Sequence, residues 1–136
     1  MPEYDGNASS RPWVRRRLRS FVHALRGVWQ LRTEPNARIH SLATVAVLVA
    51  GVLVGLSALE WCALVLAAAL VFAAEALNTA LEYLANAVMP ERHPLVGTAK
   101  DLAAGAVLIT AVGAAIVGAL VLGPHLVVIA KRGIGG

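Results

Sequence analysis

Residues 61–88 read Trp61-Cys-Ala-Leu-Val-Leu-Ala-Ala-Ala-Leu-Val-Phe-Ala-Ala-Glu75-Ala-Leu-Asn78-Thr79-Ala-Leu-Glu82-Tyr-Leu-Ala-Asn86-Ala-Val88. The first half of this stretch bears no formal charge. The second half keeps the Ala/Leu background but admits polar residues at three- and four-residue steps. As one helix, these 28 residues span roughly 42 Å at about 1.5 Å per residue. That exceeds the roughly 30 Å hydrocarbon core of a bilayer, so the last turns should protrude into headgroups or water.

Moving outward, residues 42–59 and 102–122 are also free of formal charge, and Glu60 is the lone charge between the first two apolar runs. The chain of 136 residues is 58% hydrophobic and 15% charged. A soluble domain is usually nearer half apolar and a quarter charged. This distribution predicts an all-α membrane protein with three spans, about 37–56, 61–88 and 98–122. Any chemistry must then be built from the helices and their short connections. A tail follows over 123–136, because its apolar run, residues 127–130, is too short to span and its end is rich in glycine.

The amino-terminal third is different. Residues 1–11 are polar and predicted to be disordered. Over 12–32 the apolar positions Trp13, Val14, Leu18, Phe21, Val22, Leu25, Val28 and Trp29 recur at helical spacing, with arginines around much of the rest. This predicts an amphipathic helix in the membrane interface. Glu34-Pro35 ends it, and Gly51 and Gly55 have a spacing that lets a neighbouring helix approach closely.

The net charge of +4 does not point to nucleic acid. Arg11, Arg15, Arg16, Arg17, Arg19, Arg26, Arg32 and Arg38 all precede the first span, and Arg92 and Lys100 flank the connection near residues 89–100. The opposite side has only Lys131 and Arg132. The positive-inside rule therefore puts the amino terminus and that connection in the cytoplasm. No cleavable signal peptide is apparent, since no apolar stretch precedes residue 42. The single Cys62 excludes an intrachain disulfide and reads as a packing residue. Tyr83 reads as an interfacial belt residue, and His23, His40 and His125 as structural or interfacial, with His40 able to pair near Glu34.

Within the second span, Glu75, Asn78, Thr79, Glu82 and Asn86 fall at about 0°, −60°, +40°, −20° and +20° around the helix. Five polar side chains thus share one stripe. An ionisable residue at bilayer depth costs roughly 2.5–3.5 kcal/mol on insertion scales, so this stripe requires partners, a metal ion or water. Glu34, His93, Lys100 and Asp101 lie at the same cytoplasmic end. Carboxylates to hold Mg2+, a lysine to balance phosphate charge and a carboxylate to accept a proton are the parts that phosphoryl transfer needs. The chain has no Walker sequence, no glycine-rich kinase loop and no His-Arg-Asp loop.

These residues resemble the prokaryotic diacylglycerol kinase and undecaprenol kinase family. The matching text is Arg32-Thr-Glu34-Pro-Asn36-Ala-Arg38-Ile-His40, Glu75-Ala-Leu-Asn78-Thr-Ala-Leu-Glu82, His93-Pro94, and Ala99-Lys100-Asp101-Leu-Ala-Ala-Gly105-Ala-Val-Leu108, within a match over roughly residues 20–122. Asn36, the Arg38-Ile-His40 run and His93-Pro94 look more like the undecaprenol kinase branch. The resemblance implies a homotrimer with active sites shared between protomers, in a bacterial inner membrane. It implies an ATP- and Mg2+-dependent lipid kinase acting on undecaprenol, or alternatively on diacylglycerol. Glu75 would be the general base, and Glu34 and Glu82 would bind Mg2+ with ATP. Asn78, His93, Lys100 and Asp101 would contact nucleotide, and Arg15, Arg38 and Ala104 would contact lipid or headgroup. The chain departs from the pattern at Asn86, where the family commonly has Asp. Two other classes fit less of the sequence. A proton-conducting subunit has no use for Glu34 or the Lys100-Asp101 pair, and a non-catalytic assembly factor leaves the polar stripe unexplained.

Overall fold

The computed structural model describes residues 10–134, and these are helical almost throughout. Four helices follow one another: α1 (Ser10–Gln30), α2 (Pro35–Val54), α3 (Ala58–Val88) and α4 (Pro94–Ile134). Three of them, α2 to α4, are long and apolar enough to cross a membrane. Of the segment 1–11 predicted to be disordered, residues 1–9 lie outside the described residues, and Ser10 and Arg11 belong to α1.

The joints follow from local chemistry. A 3-10 turn, Leu31–Thr33, separates α1 from α2, and Thr33 Oγ1 donates to the Gln30 carbonyl at 2.7 Å. Glu34 is extended, at φ −80° and ψ 129°, as the ring of a following proline demands. Pro35 then opens α2, where its missing N–H costs nothing. At the far end, Gly55 takes a left-handed φ of 72° and its N–H donates to the Gly51 carbonyl at 3.1 Å. A side chain would be strained there.

Gly51 has another task. A Cβ on it would lie 2.8 Å from Leu56 Cδ1 and 2.9 Å from Trp61 Cη2. The close approach anticipated from the Gly51/Gly55 spacing is therefore made to the ring of Trp61 within one hairpin, and Gly55 serves as a helix cap. Two residues on, Ser57 caps α3. The Glu60 N–H donates to Ser57 Oγ at 3.4 Å, and the Ser57 N–H and Oγ both donate to Glu60 Oε2 at 2.7 Å. Both partners of a capping box are present.

The fourth helix differs from the sequence reading. Predicted over 98–122 with a tail beyond, it begins at Pro94 and continues through Pro124 to Ile134. An internal proline removes one N–H and frees one carbonyl, a defect that apolar helices tolerate. The turns after it are apolar at Leu126 to Ile129. His125 Nε2 also meets Glu60 Oε1 at 2.9 Å, which ties the added turns to the start of α3. At 41 residues the helix is about 60 Å long, enough to extend beyond a bilayer.

Packing is lopsided. α4 lies along α3 over much of its length, and α2 touches both more sparsely. Among the described residues, the buried apolar side chains are only Leu31, Ala37, Leu64, Val71 and Val107. A water-soluble chain of this length could not fold on so small a core. The large apolar residues of α2, α3 and α4 instead face outward.

Candidate active site

The polar stripe of α3 turns inward where the core is. Glu75 is 2% exposed, and Asn78 and Thr79 are buried beside it. Glu82, one turn further, is half-buried and Asn86 is exposed. Asn78 Nδ2 donates to Glu82 Oε1 at 3.4 Å. Glu75 Oε2 and Asn78 Oδ1 are buried and have no hydrogen-bond partner among the described residues. Unsatisfied buried acceptors are rare and costly.

The turn before α2 supplies a second carboxylate. Glu34 is held by Tyr83, whose hydroxyl donates to Glu34 Oε1 at 2.7 Å. His40, Glu34 and Glu82 lie near enough to Glu75 for their charges to act on it. Three carboxylates and one imidazole thus converge between α2 and α3. Next to them, an apolar cavity of about 160 Å³ opens between the three long helices, lined by His40, Thr44, Val71, Ala111 and Gly118 among others.

A second cluster lies at the α3–α4 connection. A cavity of about 440 Å³ is lined by Asn86, Glu91, Arg92, His93 and Lys100, and Lys100 Nζ donates to Asn86 Oδ1 at 3.3 Å. Asp101 is exposed at the next position of α4. Along the stripe of α3, the surroundings therefore change from acidic to basic between Glu82 and Asn86.

Of the residues singled out from the sequence, Glu34, Glu75, Asn78 and Glu82 come together, while His93 and Lys100 share the second cavity. Arg15 is exposed on α1 and Ala104 on α4. Arg38 Nε donates to the Arg32 carbonyl at 3.0 Å, bracing the α1–α2 turn. Tyr83, read as a belt residue, is exposed and also holds Glu34 through its hydroxyl. His40 lines the neighbouring apolar cavity. Helical spacing does not reveal the Tyr83–Glu34 contact, since it crosses from α3 to another element.

The sequence model of a family described as prokaryotic diacylglycerol kinase matches residues 22–122. The chain belongs to that family. It is a membrane lipid kinase. The undecaprenol kinase of Bacillus subtilis is 45% identical over 114 residues, which is 83% of this chain and 93% of that one. A diacylglycerol kinase of Synechocystis sp. is 43% identical over 111 residues, 80% of this chain but 63% of the relative. No solved structure matches.

A divalent cation can be weighed against the donors present. Among the described residues of one chain, no group of three His, Cys, Asp or Glu side chains has the geometry of a metal site. Glu34 and Glu82 are hard oxygen donors, however, and Mg2+ is commonly held by one or two carboxylates with substrate phosphates completing its shell. The donor set fits an ion that arrives with nucleotide.

Proposed function

We propose that this kinase transfers the γ-phosphoryl group of ATP to the hydroxyl of undecaprenol, giving undecaprenyl phosphate and ADP. The observation that carries the reading is Glu75: a buried carboxylate whose Oε2 has no hydrogen-bond partner among the described residues, with the charges of His40, Glu34 and Glu82 acting on it. Glu75 is the general base. It accepts the lipid hydroxyl proton as the lipid oxygen bonds to the γ-phosphorus and the bond to the β–γ bridging oxygen breaks. Asn78 orients Glu82 through its amide, and Tyr83 orients Glu34. Glu34 and Glu82 would hold Mg2+, which would supply charge neutralisation to the phosphates. His93, Lys100 and Asp101 contact the nucleotide from the α3–α4 connection.

The undecaprenol assignment rests on the Bacillus relative, which matches this chain over nearly its whole length. Diacylglycerol is the second reading, supported by the family description and the Synechocystis relative. The cavity lined by His40 and Val71 is apolar, as the chains of both lipids are, so it does not separate the two readings.

Assembly and placement follow the same logic. The incomplete metal donor set and the outward-facing apolar helices support a homotrimer in which neighbouring protomers complete each site. α1 lies in the interface. Its Arg17 and Arg32 guanidiniums sit 5.2 Å and 3.5 Å from the ring centres of Trp13 and Trp29, a pairing suited to headgroups. Arg15, Arg38 and Ala104 are lipid or headgroup contacts. The arginine asymmetry supports a cytoplasmic amino terminus and active site in the bacterial inner membrane. Residues 12–122 form the kinase domain, flanked by tails 1–11 and 123–136, with the helical turns of the latter continuing α4.

The deciding experiment uses purified protein, radiolabelled ATP, and undecaprenol and diacylglycerol in parallel. Glu75→Gln should lower phosphorylation of the preferred lipid about a hundred- to ten-thousandfold while the protein still folds. Unchanged turnover would remove Glu75 from the mechanism, and faster turnover of diacylglycerol would select the second reading.

A further inference from the structure

The 440 Å³ cavity at the α3–α4 connection holds a contact that the mechanism above does not use. Lys100 Nζ donates to Asn86 Oδ1 at 3.3 Å. An ammonium has only donors, so the amide oxygen must face it, leaving the Asn86 Nδ2 donors free to point elsewhere. The remaining polar lining comprises Arg92 and His93 against a single acid, Glu91. Asn86 continues the stripe of Glu75 and Glu82, one turn beyond Glu82. It is therefore where the carboxylate face of α3 meets the basic groups of the connection.

We infer that Asn86 is a positioning residue that aims the Lys100 ammonium into this cavity without neutralising it, keeping its charge for the phosphate oxygens of the nucleotide. A neutral amide anchors the end of a flexible side chain, whose freedom is otherwise costly to lose. A carboxylate at the same place would anchor it equally well, but would form an ion pair that draws the ammonium charge away from an anionic ligand. Asn86 and Lys100 together also present only donors to the cavity, as a polyphosphate requires. This inference rests on Lys100 being a nucleotide contact.

The test compares Asn86→Asp, Asn86→Ala, Lys100→Ala and the double variant Asn86→Asp/Lys100→Ala in the purified full-length kinase. The readouts are KM for Mg-ATP, KM for lipid, kcat, and direct binding of a non-hydrolysable ATP analogue. Asn86→Asp is nearly isosteric at an exposed position, and a thermal melt in detergent confirms its folding. It should raise the KM for Mg-ATP and the analogue Kd about two- to fivefold, the scale of an added charge pair at a solvated site. The KM for lipid should stay level and kcat should change less than about twofold. Asn86→Ala should have a smaller effect of the same sign. In the Lys100→Ala background, Asn86→Asp should add little. An unaltered KM for Mg-ATP in Asn86→Asp overturns the inference, as does the same increase with and without Lys100. Should Lys100→Ala itself leave nucleotide binding unchanged, the nucleotide role of Lys100 fails, and this inference with it. A raised KM in Lys100→Ala with none in Asn86→Asp defeats the Asn86 inference alone.

Discussion

At the residue scale, the site depends on hydrogen bonds that hold carboxylates against their mutual repulsion. Tyr83 donates to Glu34 at 2.7 Å, so Tyr83→Phe leaves that carboxylate free to rotate. The expected outcome is an increase of about three- to tenfold in the Mg2+ concentration giving half-maximal activity, with the chain still folded; a metal titration checks it. Glu82→Gln should shift the same titration further if Glu82 is the ligand proposed, since it then removes a ligand and not just its support. A normal metal curve for Glu82→Gln would remove it from the metal site. His40 invites a different measurement. It lines the apolar cavity and its charge acts on Glu75, so His40→Ala should alter kcat more than the KM for Mg-ATP.

At the scale of elements, the α2–α3 hairpin is specified by a few residues. Gly51→Ala forces a methyl group to within 3 Å of Leu56 and Trp61. Overpacking of this kind costs about 1–3 kcal/mol, and the thermal midpoint in detergent should fall accordingly. Gly113→Ala provides the control, since a Cβ there meets nothing within 4 Å. On the same end of the bundle, Glu60 joins Ser57 to His125. Glu60→Gln and His125→Ala should each lower the midpoint. If they act through one contact, the double variant should fall no further than the sum of its cap and latch losses predicts, and a double-mutant cycle measures the coupling.

At the scale of the whole molecule, one chain is an incomplete object. Among the described residues few apolar side chains are buried, and the long helices face outward. Burial in lipid accounts for the apolar surface. If sites are shared, mixing Glu75→Gln chains with Lys100→Ala chains before reconstitution should restore part of the activity that each lacks alone. Mixtures as inactive as the separate variants would mean that each protomer works from its own residues.

The sequence by itself determined the helical class and the number of apolar helices long enough to span. Both depend on local properties: uninterrupted apolar length, helical period, and the stop at Glu34-Pro35. It also placed Glu75, Asn78, Thr79, Glu82 and Asn86 on one stripe, because a helix repeats every 3.6 residues whatever surrounds it. Its motifs marked the family to which the chain belongs. The end of α4 runs past Leu122, because a segment too short to span by itself is carried on by its apolar turns and the Glu60–His125 contact. Only the tertiary structure decided that Tyr83 reaches Glu34, that His40 lines the apolar cavity, and that Lys100 meets Asn86. The reason is physical: period along one helix states which side chains share a face, but not which residues of another helix that face will meet.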